Sequence, residues 1–554
     1  MLFCNYQKLS QKIAKIKNSV LGLNKKIGCI QWEFKVLKRD ISTSNLLIAA
    51  AGGMIGSAWL FTPFIGAQIA GPNALVSWMI AAFFMLFIAL PLCELGTMLP
   101  ISGGLSNYPT YTHGREVGFL FSWITWLAYV VMTPIEIQAI LQYSSHFFPA
   151  LLIKEATYFK LSPLGYGLAI LIMFFIVVLN SYGIKFLAEC SKYASIIKFL
   201  LPSIAIIALI HHSPTLENIT LDLTNKTRWI ALFSALSAGG IAFAFTGFQN
   251  GLILAGEVKN PQKSIPIAIL GAVLVGFILY FMLQLSFLMA VPQSYLQQGW
   301  QQLSFPGDSG PLVGLSLLLG LSVVAFLLLF DAAFSPFGTT LVYTAATSRI
   351  LYGMALNKHL PPFFLKLNRY RIPYVTLYAN FLVGICAFLP FPGWQKMVAF
   401  LSSASILSYG IGPICLLALR KIQPSQPRPF RLSGSLMICH SAFYMANLML
   451  YWCGFSVIWK LYVAILIGFV VYLCYQKRRF LVHNYSLYWF FSYLSILVLL
   501  SYLGSFGGIA WLKFPFGMLV LFPFSVVMLY LSQYCLVDQE AESFTLMNKQ
   551  LQDL

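Results

Sequence analysis

Long apolar segments, separated by short stretches of charged and turn-forming residues, fill most of the chain. A helix needs about 20 apolar residues to cross the roughly 30 Å hydrocarbon core of a bilayer, and about fourteen segments have a suitable length. The pattern therefore predicts an all-α polytopic membrane protein with about fourteen transmembrane helices. The predicted spans cover residues 44–70, 73–99, 117–148, 163–182, 187–212, 230–258, 265–291, 312–346, 373–392, 393–420, 434–457, 459–476, 485–506 and 509–535.

The first span contains a stretch that is poorly suited to a continuous helix. Gly52–Pro63 reads Gly-Gly-Met-Ile-Gly-Ser-Ala-Trp-Leu-Phe-Thr-Pro. Backbone opens at membrane depth only where protein buries it or where it lines a water-filled cavity. An opened helix presents N–H groups and carbonyls that favour charged ligands. Close packing of small residues against a neighbouring helix is the alternative interpretation.

The sixth span contains a second interruption, in which Gly239-Gly240 is followed by the glycine-containing stretch Phe243–Gly251. The first and sixth spans are five apart, so they cross the membrane in opposite directions. Two interrupted spans at corresponding positions are typical of inverted-repeat transporters. We therefore predict an inverted five-plus-five repeat with helices 1 and 6 broken. The predicted regions are a ten-helix core over 44–420, with repeats 44–212 and 230–420, and four additional helices over 434–535.

Composition and charge support a membrane location. The chain is 59% hydrophobic and 9% charged, whereas soluble domains carry about 25% charged residues. A net charge of +19 would suit a nucleic-acid partner. With the N-terminus inside, however, 27 of the 35 Lys and Arg residues lie on the inner side and seven on the outer side. This asymmetry follows the positive-inside rule, so we expect lipid rather than nucleic acid as the partner, and cytoplasmic tails at 1–43 and 536–554.

The sequence offers little for enzymatic chemistry. The ten cysteines are scattered without a CxxC pair, and no P-loop, nucleophile elbow or HExxH motif occurs. We therefore expect no enzyme, no bound metal, no cofactor and no ATP-driven pump.

Four blocks of sequence resemble the amino acid–polyamine–organocation superfamily of secondary transporters, in the order and spacing of that family. Gly56-Ser57-Ala58 is similar to the Gly-Ser-Gly break of its first span, with Ala58 where a third glycine is usual. The other blocks are Leu99–Gly104, Phe243–Phe248 with Gly256–Pro266, and Ser348–Ala355 with Leu360–Phe364.

Shorter motifs resemble the branch of that family that contains bacterial aspartate/glutamate:proton symporters. They are Gly56–Phe61, Pro134–Tyr143, Asp331–Pro336 and Arg428–Arg431. The resemblance implies a proton-coupled amino acid permease of a bacterial-type cytoplasmic membrane, with acidic amino acids as candidate substrates. An amino acid exchanger of the same fold and a transporter-like amino acid sensor remain alternatives.

The resemblance also implies that the substrate is held at its α-carboxylate and α-amino groups. Half-helix N-termini favour anions, whereas freed carbonyls favour cations. We therefore expect the two interruptions to bind the zwitterion, with Phe243, Phe245 and Trp59 closing over it. For any one of these rings taken alone, packing in the core is the more common role. The candidate substrate-binding residues are Ile55, Gly56, Ser57, Ala58, Trp59, Phe243, Ala244, Phe245, Thr246, Gly247 and Phe248.

Three charged residues lie well away from the ends of predicted spans, at a depth where a charge is costly and usually functional. Lys198 lies in the fifth span, at a place where the resemblance implies that a lysine replaces a bound sodium ion, and we interpret it as a proton-coupling base. Snorkelling to the cytoplasmic headgroups is the alternative for this residue. Asp331 is expected to belong to the proton path or to pair with Lys198, and Glu136 in the third span is a similar candidate. A mutual structural pair is the alternative for each. Glu94, near an inner span end, is expected to form an ion pair with a loop arginine or lysine.

Overall fold

The computed structural model describes residues 39–101, 104–155, 158–182, 184–212, 216–307, 309–476 and 485–536, with side chains from residue 197 onward in the helix that begins at Ile184. Except for residues 39–43 and Leu536, the two predicted tails lie outside the described residues. So do Ser102 and Gly103 of the Leu99–Gly104 block.

The described chain is mostly helical, as predicted. The helices are α1 (Thr43–Met54), α2 (Ala58–Ala70), α3 (Ala74–Met98), α4 (Gly104–His113), α5 (Arg115–Val130), α6 (Met132–Ser144), α7 (Pro163–Ser181), α8 (Ile184–His212), α9 (Lys226–Ser237), α10 (Ile241–Ala244), α11 (Asn250–Ile253), α12 (Pro261–Ala290), α13 (Pro311–Leu318), α14 (Ser322–Leu356), α15 (Tyr374–Ala387), α16 (Trp394–Tyr409), α17 (Ile411–Ile422), α18 (Ser435–Trp452), α19 (Phe455–Gln476), α20 (Tyr485–Leu503) and α21 (Phe516–Ser532).

The prediction of an all-α chain is wrong in one loop, which forms a small antiparallel hairpin. Its strands are β1 (Leu152–Lys154) and β2 (Phe159–Leu161), with Leu152 opposite Leu161. The hairpin follows α6 and precedes α7. Apolar periodicity could not predict it because each strand has only three residues.

The first predicted span is opened where its glycines indicated. The α1 helix ends at Met54 and α2 begins at Ala58, so Ile55, Gly56 and Ser57 lie between two half-helices. The α1 helix begins after Ser42, whose hydroxyl accepts a hydrogen bond from the N–H of Asn45, an N-cap that satisfies one free donor.

The sixth predicted span is also interrupted. The α9 helix ends at Ser237, and Gly240 adopts a left-handed conformation (φ 81°) before the short helix α10. A turn over residues 245–249 then separates α10 from α11. Glycine adopts positive φ without steric cost, which explains why the Gly239-Gly240 pair ends the ladder here. The α10 helix packs on α2 and α11 packs on α1, so the two interrupted spans lie side by side.

Several predicted spans have different boundaries in the structure. The segment 312–346 was predicted as one span, but α13 ends at Leu318, Gly320 (φ 73°) turns the chain, and α14 continues to Leu356. The predicted spans 117–148 and 393–420 each consist of two helices joined through a single residue, Val131 and Gly410 respectively.

The protein is an integral, multi-pass membrane protein. Within the described ranges, nine helical segments are long and apolar enough to cross a membrane, and three shorter apolar helices accompany them. The total of about fourteen spans and their pairing as an inverted repeat remain predictions.

Glu94 ties the α3 helix to the connection between α17 and α18. Its fully buried carboxylate accepts hydrogen bonds from Nε (2.9 Å) and Nη2 (2.6 Å) of Arg420 and from the N–H of Leu432 (2.8 Å). The guanidinium of Arg428 lies 3.6 Å away. The predicted ion pair of Glu94 is therefore confirmed, and the carboxylate also binds the backbone of the connection that leads into α18.

We predict that Glu94→Gln lowers the free energy of unfolding by about 3 kcal/mol, because it leaves the partly buried Arg420 without its counter-charge. The thermal midpoint of the purified protein in detergent measures the effect. Asp222→Asn is the matched control, because its ion pair with Arg228 (3.4 Å) is solvent-exposed and should contribute less than about 1 kcal/mol. Equal midpoints for the two variants would contradict this assignment.

Candidate functional site

The structure brings the two sets of predicted substrate-binding residues together in the protein interior. Ile55–Trp59 form the opening of the first span and the start of α2, and Phe243–Phe248 form the end of α10 and the following turn. All of these residues are buried.

The closest approach between the two interruptions is made by backbone. Gly247 has φ 131°, and a Cβ atom at this position would lie 2.5 Å from the carbonyl carbon of Gly53 and from the nitrogen of Met54. Only glycine combines that backbone conformation with such a contact. The N–H of Gly247 donates to the side-chain oxygen of Gln249 (2.7 Å), so the turn is held from within.

The electropositive end of the opening is occupied by a carboxylate. The N–H of Ser57 donates to both oxygens of Glu136, at 2.9 and 3.2 Å. A side chain at Gly56 would overlap Oε1 of Glu136, so this glycine makes room for the carboxylate. Glu136 lies on α6 and is fully buried. A helix N-terminus stabilises negative charge, which explains why an acidic residue is tolerated at this depth.

The carbonyl end of the opening is occupied by hydroxyl groups and an ammonium group. Tyr280 on α12 donates to the carbonyl of Met54 (2.8 Å), and Tyr343 on α14 donates to that of Gly53 (3.3 Å). The ammonium of Lys198 lies 3.5 Å from the carbonyl of Gly52. These side chains satisfy carbonyls that the ended helix leaves without intrahelical partners.

Lys198 contacts the face of α14 on which Asp331 lies. Nζ of Lys198 donates to Oγ1 of Thr339 (2.6 Å), and Oδ1 of Asp331 accepts from the hydroxyl of Ser335 (2.6 Å). Asp331, Ser335 and Thr339 are four residues apart, which places them along one helix face. Within the part of the chain described, Lys198 and Asp331 do not form the direct ion pair that was one prediction. The ammonium lies inside the protein, with the residue 6% exposed, rather than extending to the surface.

A cavity of about 1030 Å³ ends directly beside the opening. Its lining includes Phe61 and Trp394 but none of the predicted substrate-binding residues. The indole N–H of Trp394 donates to the hydroxyl of Ser57 (2.9 Å), and its ring lies 4.8 Å from that of Phe61 and 5.8 Å from that of Phe243. Trp394 therefore lies between the cavity and the opening.

The sequence did not identify Trp394, Tyr280 or Tyr343 as site residues, and it assigned Phe245 a closing role. Phe245 is fully buried against Trp78 and does not line the cavity. Only one pattern could have pointed to Trp394, namely its position at the start of a predicted span directly after Pro392-Gly393.

Comparison with known proteins identifies the family. The family profile described as amino acid permease matches residues 41–472. The chain belongs to the amino acid permease family. This permease is 35% identical over 505 residues to the glutamate/serine transporter AimA of Bacillus subtilis, which covers 89% of this chain and 93% of the relative. It is 34% identical over 505 residues to the aspartate-proton symporter of the same organism, with 90% and 96% covered.

A more distant relative is the branched-chain amino acid permease BcaP of Bacillus subtilis, at 25% identity over 80% of this permease and 94% of the relative. The resemblance to the superfamily and to its aspartate/glutamate branch is therefore confirmed. These relatives are transporters rather than enzymes, and this permease is a membrane transport protein of the same family.

We predict that Gly247→Ala lowers the free energy of unfolding by more than about 2 kcal/mol, because the new Cβ overlaps the backbone of Gly53 and Met54. The thermal midpoint and the yield of monodisperse protein in detergent measure this effect.

Gly353→Ala is the control, because it lies within α14 with open space around its Cβ position. Alanine there should be neutral or stabilising by up to about 1 kcal/mol. A Gly247→Ala protein as stable as the wild type would mean that the two interruptions are not in backbone contact.

Proposed function

We propose that this permease is a secondary active transporter that moves amino acids across a bacterial-type cytoplasmic membrane by alternating access, as a proton-coupled symporter with acidic amino acids among its substrates. The observation that carries the proposal is the contact between two opened helices, together with the buried ionisable residues Glu136 and Lys198 that hold the free polar ends of the first one. The names of the two relatives above, a glutamate/serine transporter and an aspartate-proton symporter, support the choice of substrate and coupling ion.

The proposal includes the architecture expected from the sequence. The core over 44–420 is taken as two inverted repeats of five helices, with both tails in the cytoplasm and four further helices over 434–535. Alternating access then consists of a change in how one part of the core packs around the two interrupted helices.

In this proposal the substrate's α-carboxylate binds at the N-terminus of α2, where Glu136 now lies. The α-amino group binds near the carbonyls at the end of α1 and in the turn that follows α10. Backbone of Ile55–Trp59 and Phe243–Phe248 forms the contacts, because half-helix ends bind charged groups without needing charged side chains.

Glu136 supplies a direct physical route to proton coupling. Its carboxylate and the substrate's carboxylate compete for the N–H of Ser57, and two carboxylates at one position repel each other. Protonation of Glu136 removes that repulsion, so a bound proton and a bound substrate favour one another. By thermodynamic linkage the preference is reciprocal, which is the requirement for symport.

Lys198 and Asp331 complete the coupling network in this proposal. Lys198 contacts both α14, through Thr339, and the end of α1, through Gly52. A change in its charge therefore alters the packing of the opened helix against its neighbours. Asp331 lies on the same face of α14, and its second oxygen is buried without a hydrogen bond of acceptable geometry among the described residues.

Purified protein in proteoliposomes tests the function. We expect labelled aspartate or glutamate to accumulate when the lumen is more alkaline than the medium, and accumulation to collapse when a protonophore removes the gradient. Uptake that requires amino acid inside the vesicle and ignores the gradient would identify an exchanger. Binding of an amino acid without uptake would identify a sensor.

We predict that Glu136→Gln abolishes proton-driven accumulation while retaining exchange of internal for external substrate. The amide oxygen still accepts from Ser57, but the side chain no longer titrates, so the rise in uptake with falling external pH should disappear. Glu116→Gln, at the first turn of α5, is the control and should keep the wild-type pH profile. Unchanged accumulation by Glu136→Gln would remove this residue from the coupling mechanism.

For Lys198 we predict that substitution by methionine also removes accumulation and alters the pH profile of the remaining uptake. Lys263→Met, an exposed lysine near the start of α12, serves as the control. A Lys198→Met protein with wild-type accumulation and an unchanged pH profile would mean that the lysine has no coupling role.

A further inference from the structure

The cavity that ends at Trp394 is lined by several positively charged side chains. Three lysines line it: Lys154 at the end of β1, Lys396 in the first turn of α16 and Lys460 in α19. Because they come from distant parts of the sequence, the fold and not a local charge run brings them together. The predicted outer side of the protein has only seven Lys and Arg residues in all, and three of them line this one cavity.

Glu155 is the one carboxylate among the described residues of the lining, and it has a nearby counter-charge. Its Oε1 lies 2.5 Å from Nζ of Lys160, which stands outside the lining. The hydrogen bond and charge of Lys160 lower the pKa of Glu155, and Glu155 raises the pKa of Lys160, so both stay ionised at neutral pH. The pair is neutral overall, so Lys154, Lys396 and Lys460 are the remaining charged residues among the described lining.

Aromatic rings position the lysines at the edge of the cavity. Nζ lies 5.3 Å from the ring centre of Phe159 for Lys154, 4.0 Å from that of Tyr158 for Lys396, and 5.0 Å from that of Phe391 for Lys460. A ring face attracts a cation without carrying net charge, so these contacts orient the ammonium groups and preserve their charge.

The remaining wall of the cavity suits a hydrated polar solute. Gln68, Gln142, Gln301 and Gln302 contribute amide groups, and Phe61 and Trp394 form the end nearest the opened helix. A volume of about 1030 Å³ is near the upper end of the range for small-molecule sites, about 300–1,000 Å³, and exceeds what one amino acid fills. A solute there keeps much of its water, so long-range charge attraction governs its occupancy.

We propose that this cavity is an entry site that concentrates anionic amino acids before they pass Trp394 to the opened helices. The inference rests on the proposed function and narrows it to a preference for net negative charge. Clefts lined by one sign of charge focus the electric field and raise both the local concentration and the arrival rate of oppositely charged solutes. The entry site selects by charge, whereas the opened helices bind the groups common to all amino acids.

The test replaces Lys154, Lys396 and Lys460 together by glutamine. With each lysine contributing about a twofold effect at roughly 8–10 Å through water, kcat/KM for aspartate uptake should fall about tenfold at low salt. The fall should shrink towards zero near 1 M salt, where the screening length is about 3 Å. Uptake of a neutral amino acid that the wild-type protein also carries should be unchanged.

Two control variants separate charge from structure. Replacing Lys226, Arg228 and Lys513 by glutamine removes the same number of charges from exposed positions on the same predicted side, away from the lining, and should leave aspartate uptake unchanged. Replacing the three cavity lysines by arginine keeps the charge and should preserve uptake.

Aspartate uptake within twofold of wild type in the triple glutamine variant would overturn the inference, and so would an equal fall for the neutral amino acid. If the wild-type protein takes up no amino acid at all, the proposed function fails instead. In that case, equilibrium binding of labelled aspartate to the same variants in detergent still decides whether the cavity attracts anions.

Discussion

The structure depends on one constraint: backbone polar groups that are freed inside a membrane protein must find partners there. Opening the first span leaves the N–H of Ser57 and the carbonyls of Gly52, Gly53 and Met54 without helical partners. An unpaired polar group in a hydrocarbon environment costs several kcal/mol, so the opening exists only because four side chains complete it. Those side chains come from α6, α8, α12 and α14, which explains why these helices surround the interruption.

The partners are suited to being exchanged. A carboxylate on the N–H end and an ammonium near the carbonyl end are the same two groups that an amino acid carries. The protein thus contains, on separate helices, a tethered counterpart of its proposed cargo. If the carboxylate and amino groups of the proposed substrate replace those of Glu136 and Lys198, the number of hydrogen-bonded backbone groups stays the same. A substrate could then enter without the cost of leaving buried polar groups unpaired.

Glycine and proline clusters made both interruptions predictable, because few residue types permit a helix to open. Lys198, Asp331 and Glu136 were identified because charges are rare in apolar spans. The family also followed from short motifs. The side chains that bind the opened first span were harder to predict from the sequence. Tyr280, Tyr343 and Trp394 lie 226, 290 and 337 positions from the residues they bind. In a chain with 28 tyrosines and 12 tryptophans, no local pattern distinguishes them. The break near Gly320 was hidden by the leucines on both sides, and three-residue strands leave no periodicity to detect.

Ser57 contacts both the carboxylate at the helix end and the tryptophan at the end of the cavity, and a carrier must coordinate the movements of the two. Its N–H holds Glu136, while its hydroxyl holds the indole of Trp394. Displacement of the carboxylate and movement of the tryptophan therefore disturb the same residue. In a symporter of the kind proposed, this shared contact would disfavour movement of Trp394 away from Ser57 while neither a protonated Glu136 nor a substrate is bound at the N-terminus of α2. The free energy stored in an ion gradient would then be protected against futile leakage by a single serine.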